Sequence, residues 1–117
     1  LSDEPLIVHG DGLQSRDFTY VGTVTDVLVD AVRRRVRSPH PVNLAFGTRT
    51  TLLEVIARIQ AQLGRRVSVE HVDPRAGDVR HSQASNEALR SLFPSVSPVP
   101  LDDGLATTIE WMRRHLA

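Results

Sequence analysis

Residues 10–21 read Gly-Asp-Gly-Leu-Gln-Ser-Arg-Asp-Phe-Thr-Tyr-Val, and this stretch constrains the fold more than any other. Its two glycines supply the positive φ of a tight turn at little cost. Before the turn stands Leu6-Ile7-Val8-His9, a short apolar run bounded by Pro5 and Gly10 that reads as a strand. After it Phe18, Thr19, Tyr20 and Val21 are aromatic or β-branched and predict a second short strand. A glycine turn that leads from strand to strand brings no helix N-terminus to a pyrophosphate. The turn is therefore not a dinucleotide fingerprint, which needs a strand, a glycine turn and a helix in that order.

The remaining elements follow from periodicity and punctuation. Thr23 is placed to cap a helix over 24–37. Its apolar residues Val24, Val27, Leu28, Val29, Ala31, Val32 and Val36 cover more than one stripe, so it should pack on two sides. Ser38-Pro39-His40-Pro41 ends it, and a strand is expected over 42–46, closed by Gly47. Thr50 or Thr51 caps the next helix, and Glu54 completes a capping box with Thr51. That helix ends at Gly64. Residues 67–72 alternate as a strand, with Val67 and Val69 inward and Ser68 and Glu70 outward. Ser85 caps a short helix over 86–92. A proline-rich link leads to Asp102 and a last helix over 103–116, with Leu105, Ile109, Met112 and Leu116 on one face and Trp111 as a core anchor. Short strands scattered among about four helices give an α/β or α+β class without a complete doubly wound sheet.

Bulk properties exclude several functions. At 117 residues the chain is one domain at most. Net charge is zero, which argues against a general nucleic-acid or membrane-surface binder. Arg33, Arg34, Arg35 and Arg37, and again Arg113 and Arg114, are read as cations at helix C-termini, facing water. With no cysteine there is no disulfide and no Cys-zinc site, a composition compatible with a cytoplasmic setting. The histidines 40, 71, 81 and 115 have no metal-binding spacing, and neighbouring His81 and Ser82 are wrongly placed for a base and nucleophile. Residues 1–9 lack the charged start and apolar stretch of a secretory signal, and Leu1-Ser2-Asp3-Glu4-Pro5 reads like a loop cut in mid-protein.

A second cassette, Pro74-Arg75-Ala76-Gly77-Asp78-Val79-Arg80-His81-Ser82, joins the first. Together with Asn43-Leu44, the helix after Thr50, and Leu101-Asp102-Asp103-Gly104-Leu105 running on to Trp111, they resemble one family almost end to end. It is the carboxy-terminal, substrate-side part of the extended short-chain dehydrogenases that act on nucleotide-diphosphate sugars, most like the 4-epimerases. Two departures stand out: Gly22 and Thr23 occupy positions that are often acidic in the family, and Ser85 replaces an aspartate.

The resemblance implies a Rossmann-type parent that binds NAD through an amino-terminal dinucleotide-binding domain and epimerises by transient oxidation at sugar C4. Residues 1–117 would be one substrate-binding fragment of it, holding no cofactor itself. The family's Tyr-x-x-x-Lys pair cannot exist here, because the sequence has no lysine, so the chain alone should be catalytically incompetent. A 4,6-dehydratase or related reductase fragment, or a stand-alone non-catalytic binding module, are the alternatives. The helix over 24–37 and the strand over 42–46 would pack on the edge of the main sheet. Without that sheet they should leave an apolar patch, and self-association or swapping is expected.

The candidate ligand residues also follow from the resemblance. Arg16 would contact the diphosphate; its fork suits phosphate oxygens, while a structural ion pair with Asp17 or another acid is the alternative. Arg75 would meet the diphosphate and Asp78 a ribose hydroxyl, with Gly77 turning both one way; a plain surface turn with a salt bridge is the alternative. His9 would stack on the base beside Ile7, unless it is simply solvated. Arg80 is read as structural.

Overall fold

The computed structural model describes residues 4–116; Leu1, Ser2 and Asp3 of the opening segment lie outside the described residues. In chain order the elements are β1 (Leu6–His9), β2 (Ser15–Arg16), α1 (Val21–Arg34), β3 (Thr50–Thr51), α2 (Leu52–Leu63), β4 (Val69–Val72), α3 (Glu87–Leu92) and α4 (Leu101–His115). β1 lies parallel to β4 with Leu6 opposite Val69 and His9 opposite Val72. β2 runs antiparallel to β3. The expected α/β mixture of short strands and four helices is what forms, and among the described residues there is no larger parallel sheet.

Val27 of α1 and Leu89 and Phe93 around α3 form an apolar cluster, with Ala31, Val36, Val42, Leu44, Phe46, Leu92 and Val96 packed on it. Val8 of β1 and Val55 and Ile56 of α2 are buried elsewhere. Only one side of α1 is covered. Val21, Leu28, Val29 and Val32 are exposed along its other face, and Val32 reaches 78% exposure. They recur at helical spacing, so they form one stripe.

Several local expectations are corrected. The strand over 18–21 does not form; pairing occurs two residues earlier, at Ser15 and Arg16, where β3 supplies a partner. α1 starts at Val21 with Tyr20 as its N-cap, so Thr23 is inside the helix. Thr23 is 2% exposed, and its hydroxyl accepts the Val99 N–H at 3.2 Å. Gly22 fits its helical site because a Cβ there would come 2.5 Å from Tyr20 Cε1. The Tyr20 ring lies between Gly22 and Gly104 of α4, where an added Cβ would meet it at 3.1 Å.

α1 ends at Arg35, in the left-handed region, ahead of Ser38. Residues 42–46 form no ladder, because no described strand lies alongside them. Asn86 rather than Ser85 is the N-cap of α3, although the Ser85 hydroxyl still accepts the Glu87 N–H at 3.4 Å. α4 begins at Leu101 behind Pro100, so Asp102 falls in its first turn and binds Arg58 of α2 at 2.6 Å. Trp111 is 54% exposed and stacks on His115, so it is no core anchor. Arg34 does more than face water: it binds Asp30 and the Leu92 carbonyl and lies over the Phe93 ring.

The start of α2 forms as expected. Thr51 Oγ1 accepts the Glu54 N–H at 3.2 Å, while the Glu54 carboxylate accepts the Thr51 N–H at 2.6 Å. These two bonds form the capping box. The Thr51 N–H, followed by the Thr51 hydroxyl, holds the Glu54 carboxyl below its ordinary value of 4.5. A depressed folded pKa contributes stability above the unfolded value and loses it as pH falls through the folded one. Glu54→Gln, which keeps the hydrogen-bonding shape, is therefore expected to flatten the acid limb of a stability-versus-pH curve below about pH 4.5. Thr51→Ala is expected to cost about 1 kcal/mol in urea unfolding.

Candidate functional site

β1 and β4 end side by side, and each feeds a loop. The turn after β1 carries Gly10, Asp11 and Gly12, both glycines having positive φ. The Gly10 N–H donates to Val72 O at 2.9 Å, and His71 Nδ1 donates to Gly10 O at 2.7 Å, so β4 braces this turn. The loop after β4 contains Pro74, Arg75, Gly77, Asp78 and Arg80. It turns at Gly77, where φ is 81° and the Asp78 N–H donates to Arg75 O at 3.1 Å. The loop then returns beside β2: the Ser15 N–H donates to Arg80 O at 2.9 Å and the Ser82 N–H to Ser15 O at 3.2 Å. Ser15, 1% exposed, shares a 2.8 Å hydrogen bond with His81 Nδ1. The two cassettes are thus fastened together by main chain and side chain.

Between them lies a cleft of about 270 Å³, lined by His9, Gly10, Asp11, Gln14, Pro74, Arg75, Asp78 and Arg80. Three of the five expected ligand residues, His9, Arg75 and Asp78, line it. Arg16 reaches the same place through Asp78, binding its Oδ1 at 2.5 Å. Both side chains of that pair are about one third exposed. Arg16 therefore has the ion pair left open as its alternative, but with Asp78. Asp17 is occupied elsewhere, accepting the Phe46 and Gly47 N–H groups and the Thr48 hydroxyl. The Arg75 guanidinium has no partner among the described residues. Ile7 stands exposed on β1 opposite Glu70 and outside the cleft lining, though strand periodicity puts it on the His9 side.

His9 Nδ1 bonds the Asp73 carbonyl at 3.1 Å. A carbonyl only accepts, so Nδ1 carries the hydrogen there, and in the neutral ring Nε2 is an acceptor. Three further polar side chains of the lining, Asp11, Gln14 and Arg80, are not among the ligand groups expected from sequence. Gln14 Nε2 donates to His9 O at 3.1 Å, and Arg80 binds Asp11 at 2.9 Å. The Leu13 N–H, then Arg80, hold the Asp11 carboxyl below its usual value. Their shared signal was position, since each lies inside one of the two cassettes.

The cleft offers cations, carboxylates and a ring, a set suited to a phosphorylated, hydroxyl-bearing ligand. Among the described residues it is not built on the strand, glycine turn and helix of a dinucleotide fingerprint. The Gly10 turn runs into β2, and α2 follows β3 with no glycine turn between them. Among the described residues no group of three His, Cys, Asp or Glu could hold a metal ion, and no helix is long and apolar enough to cross a membrane.

No family model matches the chain. Related proteins nonetheless cover nearly all of it. A UDP-glucose 4-epimerase of Mycolicibacterium smegmatis is 30% identical over 106 residues, which is 91% of this chain and 34% of that protein. A UDP-glucuronic acid decarboxylase of Danio rerio is 29% identical over 99% of this chain and 27% of its own. The structure of MoeE5 in complex with UDP-glucose and NAD superposes with a TM-score of 0.87 at 34% identity, over 97% of this chain and 38% of that one. The chain spans about a third of the length of the curated relatives it matches. In sequence and in fold it is a homologue of the nucleotide-sugar epimerases and dehydratases of the extended short-chain dehydrogenase family, corresponding to about a third of such a protein.

Proposed function

We propose that this chain is the nucleotide-diphosphate grip of an NAD-dependent nucleotide-sugar epimerase of the 4-epimerase type, whose cofactor and proton-transfer groups lie on another part of the parent protein. One observation carries the reading: Arg16 is joined to the loop holding Arg75 through Asp78, and beside the same cleft the Arg75 guanidinium has no partner among the described residues. Arg75 and Arg16 bind the pyrophosphate, Asp78 accepts from ribose hydroxyls, and His9 lies against the base. Holding the diphosphate far from the reacting carbon orients the sugar, so remote binding energy serves the chemical step. The exposed stripe of α1 and the unpaired 42–46 segment are the surfaces we assign to the dinucleotide-binding domain. A dehydratase or decarboxylase parent is the second reading, favoured by the decarboxylase relative, and it needs the same grip.

The test is an amide-resolved NMR titration of the chain with UDP-glucose, UDP and glucose. UDP-glucose and UDP are expected to shift residues 9–16 and 74–82, while glucose alone leaves them unmoved. Shifts scattered over the molecule, or none at millimolar UDP, would overturn the reading.

A further inference from the structure

Arg80 has the marks of a binding group held in reserve. Its main chain is pinned, since Arg80 O accepts the Ser15 N–H at 2.9 Å. Its guanidinium is not buried: it meets Asp11 at 2.9 Å with the two side chains 61% and 49% exposed. Both residues line the cleft that also contains Arg75. An ion pair so open to water is weak, whereas an arginine hydrogen-bonded to a phosphate oxygen is among the stronger polar contacts. The exchange also strands nothing, because Asp11 Oδ1 keeps the Leu13 N–H at 2.9 Å and stays solvated.

We propose that Arg80 is an additional anion-binding residue of this cleft, neutralised by Asp11 in the free protein and released to a phosphate oxygen when a diphosphate enters. Asp11 is then an internal competitor that lowers affinity for the anion. The inference rests on the diphosphate reading above and adds a residue and a regulating counter-ion to it.

Calorimetric titration of the chain with inorganic pyrophosphate at low salt tests it, using wild type, Asp11→Asn, Arg80→Gln, the double variant and Arg75→Ala. Asparagine retains an oxygen for the Leu13 N–H, so the turn survives. Asp11→Asn is expected to tighten binding roughly two- to fivefold, the range of an exposed ion pair. Arg80→Gln is expected to weaken it and to remove most of the gain from Asp11→Asn. If Arg75→Ala abolishes binding while Asp11→Asn and Arg80→Gln leave it unchanged, this inference is overturned and the diphosphate reading stands. Weaker binding by Asp11→Asn would likewise make the pair a strut and not a competitor. No binding by any of the five proteins would sink both.

Discussion

Replacing Gly12 by alanine is expected to destabilise the chain by about 2–5 kcal/mol, a large share of the roughly 5–15 kcal/mol typical of a folded domain. Two costs add. Gly12 has φ of 74°, where an alanine is strained by about 1–2 kcal/mol. Its Cβ would also come 2.7 Å from Leu53 Cδ2 and 3.3 Å from Val8 Cγ1. Val8 is 1% exposed and has nowhere to go. Overpacking at such a site costs about 1–3 kcal/mol. The damage reaches α2, because Gly12 O accepts the Leu53 N–H and Gln14 O the Leu52 N–H, each at 3.1 Å. Those are N–H groups that a helix start cannot satisfy internally.

Gly77 supplies the control. It also has positive φ, 81°, but nothing lies within 4 Å of its built Cβ. Gly77→Ala should therefore show the conformational cost alone, about 1–2 kcal/mol. A Gly12→Ala/Leu53→Ala double variant should recover part of the loss, since it removes the steric partner and leaves the φ strain. Urea unfolding of the four proteins decides this. Equal losses at Gly12 and Gly77 would show that the contact with Leu53 has no weight.

What the sequence made legible was local. β1, the capping box, Gly64 and the alternation over 67–70 follow from residues within a turn of one another. The failures are long-range. Thr23 looks like a cap because its partner, the Val99 N–H, is remote in sequence. The strand is at Ser15 and Arg16 because Thr51 and Thr50 lie opposite, which no propensity of Phe18 to Val21 can override. Residues 42–46 have strand composition without a strand neighbour, and a ladder needs both. Likewise the two cassettes stand out in the sequence, and the fold brings Arg75 and Asp78 to one cleft with Arg16 bonded to Asp78. That Asp78 would be Arg16's own counter-ion, and Asp11 that of Arg80, depends on how the loops return beside β2.

In the parent enzyme proposed above, Arg75→Ala and Arg16→Ala are each expected to reduce kcat/KM for the nucleotide sugar by about 10- to 150-fold, the equivalent of a charge-assisted hydrogen bond. The two should differ in kind. Arg75 has no partner to strand among the described residues, so its removal costs only the phosphate contact. Removing Arg16 also leaves Asp78, about one third exposed, as an uncompensated carboxylate beside the diphosphate. Arg16→Ala should therefore be the worse of the pair, and Asp78→Asn in that background should recover part of the loss, less what the ribose contact contributes. Arg75→Lys keeps the charge but not the planar fork and should fall between wild type and alanine. If the grip also orients the sugar, kcat falls along with the rise in KM; if it merely holds the substrate, KM alone rises. Steady-state kinetics on these variants separates the cases. Unchanged kcat and KM in both alanine variants would mean that the two guanidiniums do not meet a common pyrophosphate.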